Sequence, residues 1–252
     1  MHGNGLTLML ALITKSNKFG ENEMTNLITD LSQQKAVTIL RILYPIWAIV
    51  GFFSVMYVPT TLIVAKDAAA TASNIMANES LFRMGIAGSL ITQLIIIFVV
   101  LVLYKLFKPV NKNHASLMVI FALVGVPIAM LNTLNRIAAL LLLNSADQMM
   151  FFLNLNEQGV LIASIFWGLW LFPLGYLIYK SGYFPKIFGI LVTVAGFGYL
   201  IGSFTYFLLP GYETIIQVFD LMTMGEVFFM GWVLLKGAKI PEKKNPDETL
   251  TN

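Results

Sequence analysis

Residues Met84 to Phe107 read MGIAGSLITQLIIIFVVLVLYKLF, and from Met84 to Tyr104 not one side chain is charged. As a helix at ~1.5 Å per residue, such a run spans the ~30 Å hydrocarbon core of a bilayer. Its few polar side chains, Ser89, Thr92 and Gln93, fall at i, i+3, i+4 spacing and so share one helix face. The stretch predicts a transmembrane helix with one polar flank.

Five further stretches have this character: Ile39 to Val58, Ala115 to Leu143, Gly159 to Tyr179, Ile187 to Leu209 and Ile215 to Leu235. The span beginning at Ala115 is long enough that it must tilt or start in the interface. The fold class that follows is all-α, a polytopic membrane bundle of six transmembrane helices. Composition agrees, because 58% of the 252 residues are AVILMFWYC and only 12% are DEKR, against about 25% charged in soluble domains. A water-soluble domain, a disordered chain and a nucleic-acid binder are all disfavoured. The absence of cysteine excludes disulfides, thiolate metal sites and thiol catalysis.

Basic residues orient such a bundle, since cytoplasmic connections retain Lys and Arg. Lys15, Lys18, Lys35 and Arg41 precede or open span one. Lys105, Lys108 and Lys112 lie between spans two and three, Lys180 and Lys186 between four and five, and Lys236, Lys239, Lys243 and Lys244 follow span six. The alternate connections hold Lys66 and Arg83 with Asp67, Glu79, Asp147, Glu157 and Glu213. Thirteen basic residues against two place both termini in the cytoplasm. An odd number of spans would destroy the segregation.

Three regions follow: an N-terminal extension over 1–35, surface-lying or partly disordered; a six-helix domain over 36–238; and a disordered cytoplasmic tail over 239–252. The run Leu6 to Ile13 lacks both a preceding basic residue and a small-x-small cleavage site, so it does not read as a cleaved signal. Between spans one and two, Asp67 followed by Ala68-Ala69-Ala70-Thr71-Ala72 predicts a short extracytoplasmic helix capped by the aspartate.

An ionisable group at membrane depth costs at least about 2.5 kcal/mol on insertion scales, so it should face protein or water and have a partner. Arg136 in span three and Asp220 in span six fall in the same outward layer, and Glu226 lies near the middle of span six. Arg136 is therefore expected to pair with Asp220 or Glu226. Asn132 and Asn135 share the arginine's helix face, and Gln93 with Ser89 and Thr92 forms the flank of span two. Converging flanks would make an outward-facing polar pocket of Arg136, Asn132, Asn135, Asp220, Glu226 and Gln93, able to hold a small anionic or lipid ligand. The competing reading is a fully paired buried network that fixes helix register. Trp47, Trp167 and Trp170 are read as packing or interfacial anchors before pocket walls. The pairs Gly198/Gly202 and Gly189/Thr193 are read as close helix contacts.

Only His2 and His114 are present, neither inside a span, which removes haem ligation between spans, histidine-box oxygenases, zinc hydrolases and serine-histidine dyads. Asp220 is the only aspartate within a span, so no aspartyl dyad forms, and no phosphate loop or dinucleotide pattern occurs. No cofactor or metal is called for. General acid-base chemistry by Glu226 and Asp220 on a lipid is the one enzymatic route left, behind two non-enzymatic ones. The first is ligand binding or transport through the pocket. The second is a non-catalytic membrane protein that assists a partner or senses the envelope. The bilayer is the one partner the sequence names; oligomeric state is left open.

Val58-Pro59, the Asp67 to Ala72 run leading to Asn74-Ile75, and Leu81-Phe82-Arg83 occur in an order that carries a resemblance. It continues through Leu174-Gly175-Tyr176-Leu177-Ile178, Ser181-Gly182-Tyr183-Phe184-Pro185, Gly198-Tyr199-Leu200-Ile201 and Gly225-Glu226. From about Lys35 to Lys236 the chain resembles the bacterial integral membrane proteins grouped as Domain of Unknown Function 4386. The resemblance implies six spans in a bacterial cytoplasmic membrane and no assigned activity. Where many such proteins have a polar or aromatic residue such as His near the start of span four, this chain reads Glu157-Gln158-Gly159.

Overall fold

The computed structural model describes residues 32–209 and 213–241, and among these every regular element is helical. The expected N-terminal extension up to residue 31 and the tail beyond residue 241 lie outside the described residues. Helix α1 (Gln33–Gly51), a π-helical segment (Phe52–Tyr57) and α2 (Val58–Leu62) run end to end as the first span. There follow α3 (Ala68–Ala77), α4 (Glu79–Phe107), α5 (Lys112–Leu141), α6 (Ala146–Ser181), α7 (Lys186–Leu208) and α8 (Glu213–Lys236). Six of these segments are long and apolar enough to cross a membrane, the first span and α4 to α8, and the chain is a multi-pass membrane protein.

Local chemistry sets the boundaries. Ser32 caps α1, its hydroxyl accepting from the Lys35 N–H. Asp67 Oδ1 accepts the Ala70 N–H at 2.8 Å, the cap expected for the short helix α3. Asn111 caps α5 through the His114 N–H. Helix α6 stops at Gly182, whose φ of +68° is the left-handed C-cap that glycine adopts without strain. The fourth span begins well before the expected Gly159, at Ala146. Its first turns carry Asp147, Gln148, Asn154, Asn156 and Glu157, which lower hydropathy without breaking the helix. They also bury Met149 and Leu153, and that apolar stripe supplies the helix with a partner.

Each span packs chiefly on its neighbours in the chain, and the first packs on the last, so the six close a ring. Small residues bring α6, α7 and α8 together. A Cβ on Gly175 would lie 2.7 Å from the Gly189 carbonyl oxygen, and one on Gly198 would lie 2.7 Å from the Phe219 carbonyl oxygen. The two expected close contacts are therefore real backbone approaches.

One end of the ring is plugged. In the turn after α6, Tyr183 and Phe184 fold inward against Phe107 at the end of α4, and Phe184 meets Phe229 edge to face with centroids 5.1 Å apart. Gln33 Nε2 donates to the Tyr183 hydroxyl at 2.7 Å and to the Leu106 carbonyl at 2.9 Å. Arg41 Nε ties the first span to the Leu234 carbonyl of α8 at 2.9 Å. A large apolar core continues inward from this plug through Leu103, Met118, Trp170, Leu171 and Val192. At the other end a separate apolar cluster, including Leu62, Ile75, Phe82, Leu140 and Met149, packs α3 against the ends of its neighbours. A cavity lies among the spans on this second side.

Candidate functional site

The cavity begins with a defect in the first span. In the π segment the Val58 N–H bonds the Phe53 carbonyl, five residues back, instead of the Ser54 carbonyl. The next N–H along would come from residue 59, and Pro59 has none. The Ser54 carbonyl is thus released from the helix in a residue that is fully buried. A released carbonyl in a membrane interior needs a donor from elsewhere.

Arg136 of α5 supplies it. Its Nη1 donates to the Ser54 carbonyl at 3.3 Å and to Ser89 Oγ of α4 at 3.0 Å, and its Cζ stands 5.3 Å from the centroid of the Phe82 ring. Ser89 can accept because its own proton goes to the Gly85 carbonyl. Gly85 lets the arginine in: a Cβ there would lie 2.8 Å from Val58 Cγ1 and 3.2 Å from Arg136 Nη2. The arginine is 6% exposed, and Nη2 is buried without a hydrogen-bond partner among the described residues.

The expected ion pair does not form. Among the described residues the one ion pair is Arg83 with Glu79, an i, i+4 contact at the helix surface. Arg136 is held by the dipoles of Ser54 and Ser89 and by an aromatic face, on the side of the first span and α4. Asp220 of α8 lines the same cavity, yet it is exposed and unpaired among the described residues. Glu226 is buried, 8% exposed, and does not line the cavity.

The cavity has a volume of about 440 Å³ and takes residues from all six spans. Of the sequence-derived candidates it is lined by Arg136, Asn132, Gln93 and Asp220, together with Ser89 and Thr92 of the same flank as Gln93. Asn135 and Glu226 stand outside the lining. Asn135 acts through its neighbour, Nδ2 donating to Asn132 Oδ1 at 2.9 Å. Asn132 and Asn156 bind α5 to α6 reciprocally, each amide donating to the other's backbone carbonyl at 2.8 and 3.1 Å. Gly159 makes room for this clasp, since a Cβ there would collide with the Asn132 amide.

Sequence reasoning missed Ser54, Asn156 and Tyr206, and it placed Glu157 in a connection. Pro59, five residues beyond a serine inside a span, was the available signal for Ser54. Asn156 and Glu157 were hidden by ending span four too late. Trp167 lines the cavity, whereas Trp170 is in the core and Trp47 packs against it. His114 stacks on Tyr176 with centroids 4.0 Å apart, away from the lining residues.

A family model described as Domain of unknown function (DUF4386) matches residues 41–237. The chain belongs to this family. The DUF4386 match takes in every residue of the cavity lining and five of the six spans entire, with most of the first. An archaeal protein from Archaeoglobus fulgidus, described as uncharacterized, is 34% identical over 157 residues, 62% of this chain and 86% of its own length. No solved structure matches.

Proposed function

We propose that this DUF4386 protein binds, or carries across the membrane, a small ligand whose anionic group is held by Arg136. The observation behind this reading is a buried guanidinium whose Nη2 has no hydrogen-bond partner among the described residues, in a residue that lines a cavity of about 440 Å³. Cavities of roughly 300 to 1,000 Å³ are the usual size for small-molecule sites. A purely structural arginine would be expected to have all its donors satisfied, because each unsatisfied one costs about 1 to 3 kcal/mol. The bonds to Ser54 and Ser89 support a second reading, in which Arg136 repairs the first span and the protein assists a partner without binding a small molecule.

The cavity residues fall in the half of the bundle opposite the ends bearing Lys105, Lys108, Lys112, Lys180, Lys186 and Lys236. On the basic-residue rule the cavity opens away from the cytoplasm and both termini are cytoplasmic. The cell membrane of a bacterium is the location this reading adopts.

The test is a thermal melt of the detergent-purified protein, read by its four tryptophans, in a panel of phosphate, succinate and acetate at constant ionic strength. At least one anion is expected to raise Tm in the parent and not in Arg136→Gln. If no anion does so, or Arg136→Gln responds equally, the second reading prevails.

A further inference from the structure

The charges around the cavity are segregated. Among the described residues that line it, Arg136 is the only basic one, and it is 6% exposed. Two carboxylates, Glu157 of α6 and Asp220 of α8, also line it, and both are exposed. No described cation pairs with either of them. Among the described residues, a ligand seated there meets one positive group, buried, and two negative groups at the surface.

That layout discriminates between ligand classes. A simple anion gains at Arg136 but is opposed by both carboxylates, and a simple cation gains at the carboxylates but is opposed by the buried arginine. Like-charge juxtaposition is a recognised means of rejecting wrong partners. A molecule with a separated anion and ammonium meets complementary charge at both positions.

We propose that the ligand is a zwitterion, its carboxylate or phosphate on Arg136 and its ammonium between Asp220 and Glu157. The proposal rests on the reading of the cavity as a ligand site and adds the second charge. Gln93, Thr92 and Trp167 also line the cavity. The same chemistry is offered by a free amino acid or aminophosphate and by an aminophospholipid headgroup. Val55 and Val160, which line the cavity and are 64% and 37% exposed, put apolar surface beside it where acyl chains would lie.

The experiment titrates the full chain in detergent with leucine, phosphoethanolamine, inorganic phosphate and ethanolamine, reading tryptophan fluorescence, and compares Arg136→Gln with Asp220→Asn/Glu157→Gln. A monodisperse elution profile qualifies each variant. A zwitterion is expected to bind about tenfold or more tighter than phosphate or ethanolamine. The carboxylate double variant is expected to remove that advantage while leaving phosphate binding intact or stronger, and Arg136→Gln to remove both. Phosphate binding as well as the zwitterions, or an unchanged preference in the double variant, overturns the zwitterion and leaves the anion site standing. No binding of any probe, or full binding by Arg136→Gln, overturns the site itself. Repeating the titration in nanodiscs identifies the source: phosphatidylethanolamine discs abolish phosphoethanolamine binding and phosphatidylglycerol discs preserve it if the natural ligand is the lipid, and both preserve it if the ligand is soluble.

Discussion

Helix α4 runs through two different environments, and the contrast between them organises the whole bundle. Toward Phe107 it buries Val99, Val100, Leu103 and Leu106, none of them with any exposed surface, in a core plugged by aromatic rings. Toward Glu79 it presents Gly85, Ser89, Thr92 and Gln93 to Arg136 and the cavity. Because lipid tails are as apolar as leucine, membrane helices associate through packing and internal hydrogen bonds rather than through a hydrophobic drive. The plugged half relies on packing. The cavity half adds polar contacts, made by its arginine and asparagines, to the smaller apolar cluster around Ile75 and Phe82.

Breaking the plugged half should do the most damage. Phe107→Ala empties a ring-sized space between Tyr183 and Phe184 and should lower bundle stability by about 3 to 5 kcal/mol, read by unfolding in mixed micelles. A loss below about 1 kcal/mol would mean the aromatic plug is not the structural anchor. Ser89→Ala strikes the cavity half by removing an acceptor of Arg136 Nη1. Hydrogen bonds between membrane helices average about 0.6 kcal/mol and reach about 1.7, and a buried charged donor belongs near the upper figure. A loss of about 1.5 kcal/mol is expected in the same assay.

Pro59→Ala sharpens the account of the first span. The new N–H five residues beyond Ser54 can take the released carbonyl, so Arg136 should lose one partner at a net change within about 1 kcal/mol. The check is a structure of the variant, with the Ser54 carbonyl bonded within its own helix and Arg136 Nη1 turned from it. The smallest effect concerns the pairing that charge alone suggested. Double-mutant cycles of Arg136→Gln with Asp220→Asn or Glu226→Gln should show coupling under about 0.5 kcal/mol, since neither carboxylate pairs with the arginine. Coupling of several times that would restore the ion pair.

These two halves were not equally legible in the sequence. The apolar runs gave six spans because bilayer thickness dictates their length, and Asp67 announced α3 because few residues cap a helix so well. Arg136 announced itself by its depth in span three. Its partner did not, because opposite charge in the same layer says nothing about the direction of a side chain. The partner is instead a backbone carbonyl, invisible to any count of side chains and exposed only by the coincidence of a π segment with Pro59. The early start of α6 was hidden for a related reason: hydropathy registers Asp147, Asn156 and Glu157 but not the stripe of Met149 and Leu153 beneath α3.

The division into an accessible half and a dry half can be measured directly on α4, since the chain contains no cysteine. Gln93→Cys places a thiol in the cavity wall and Leu103→Cys places one in the plugged core. A membrane-impermeant anionic thiol reagent applied to intact cells should modify Gln93→Cys, more slowly when Arg136→Gln is added, and should leave Leu103→Cys unmodified. An inert Gln93→Cys, or equal reaction at both positions, would contradict the account.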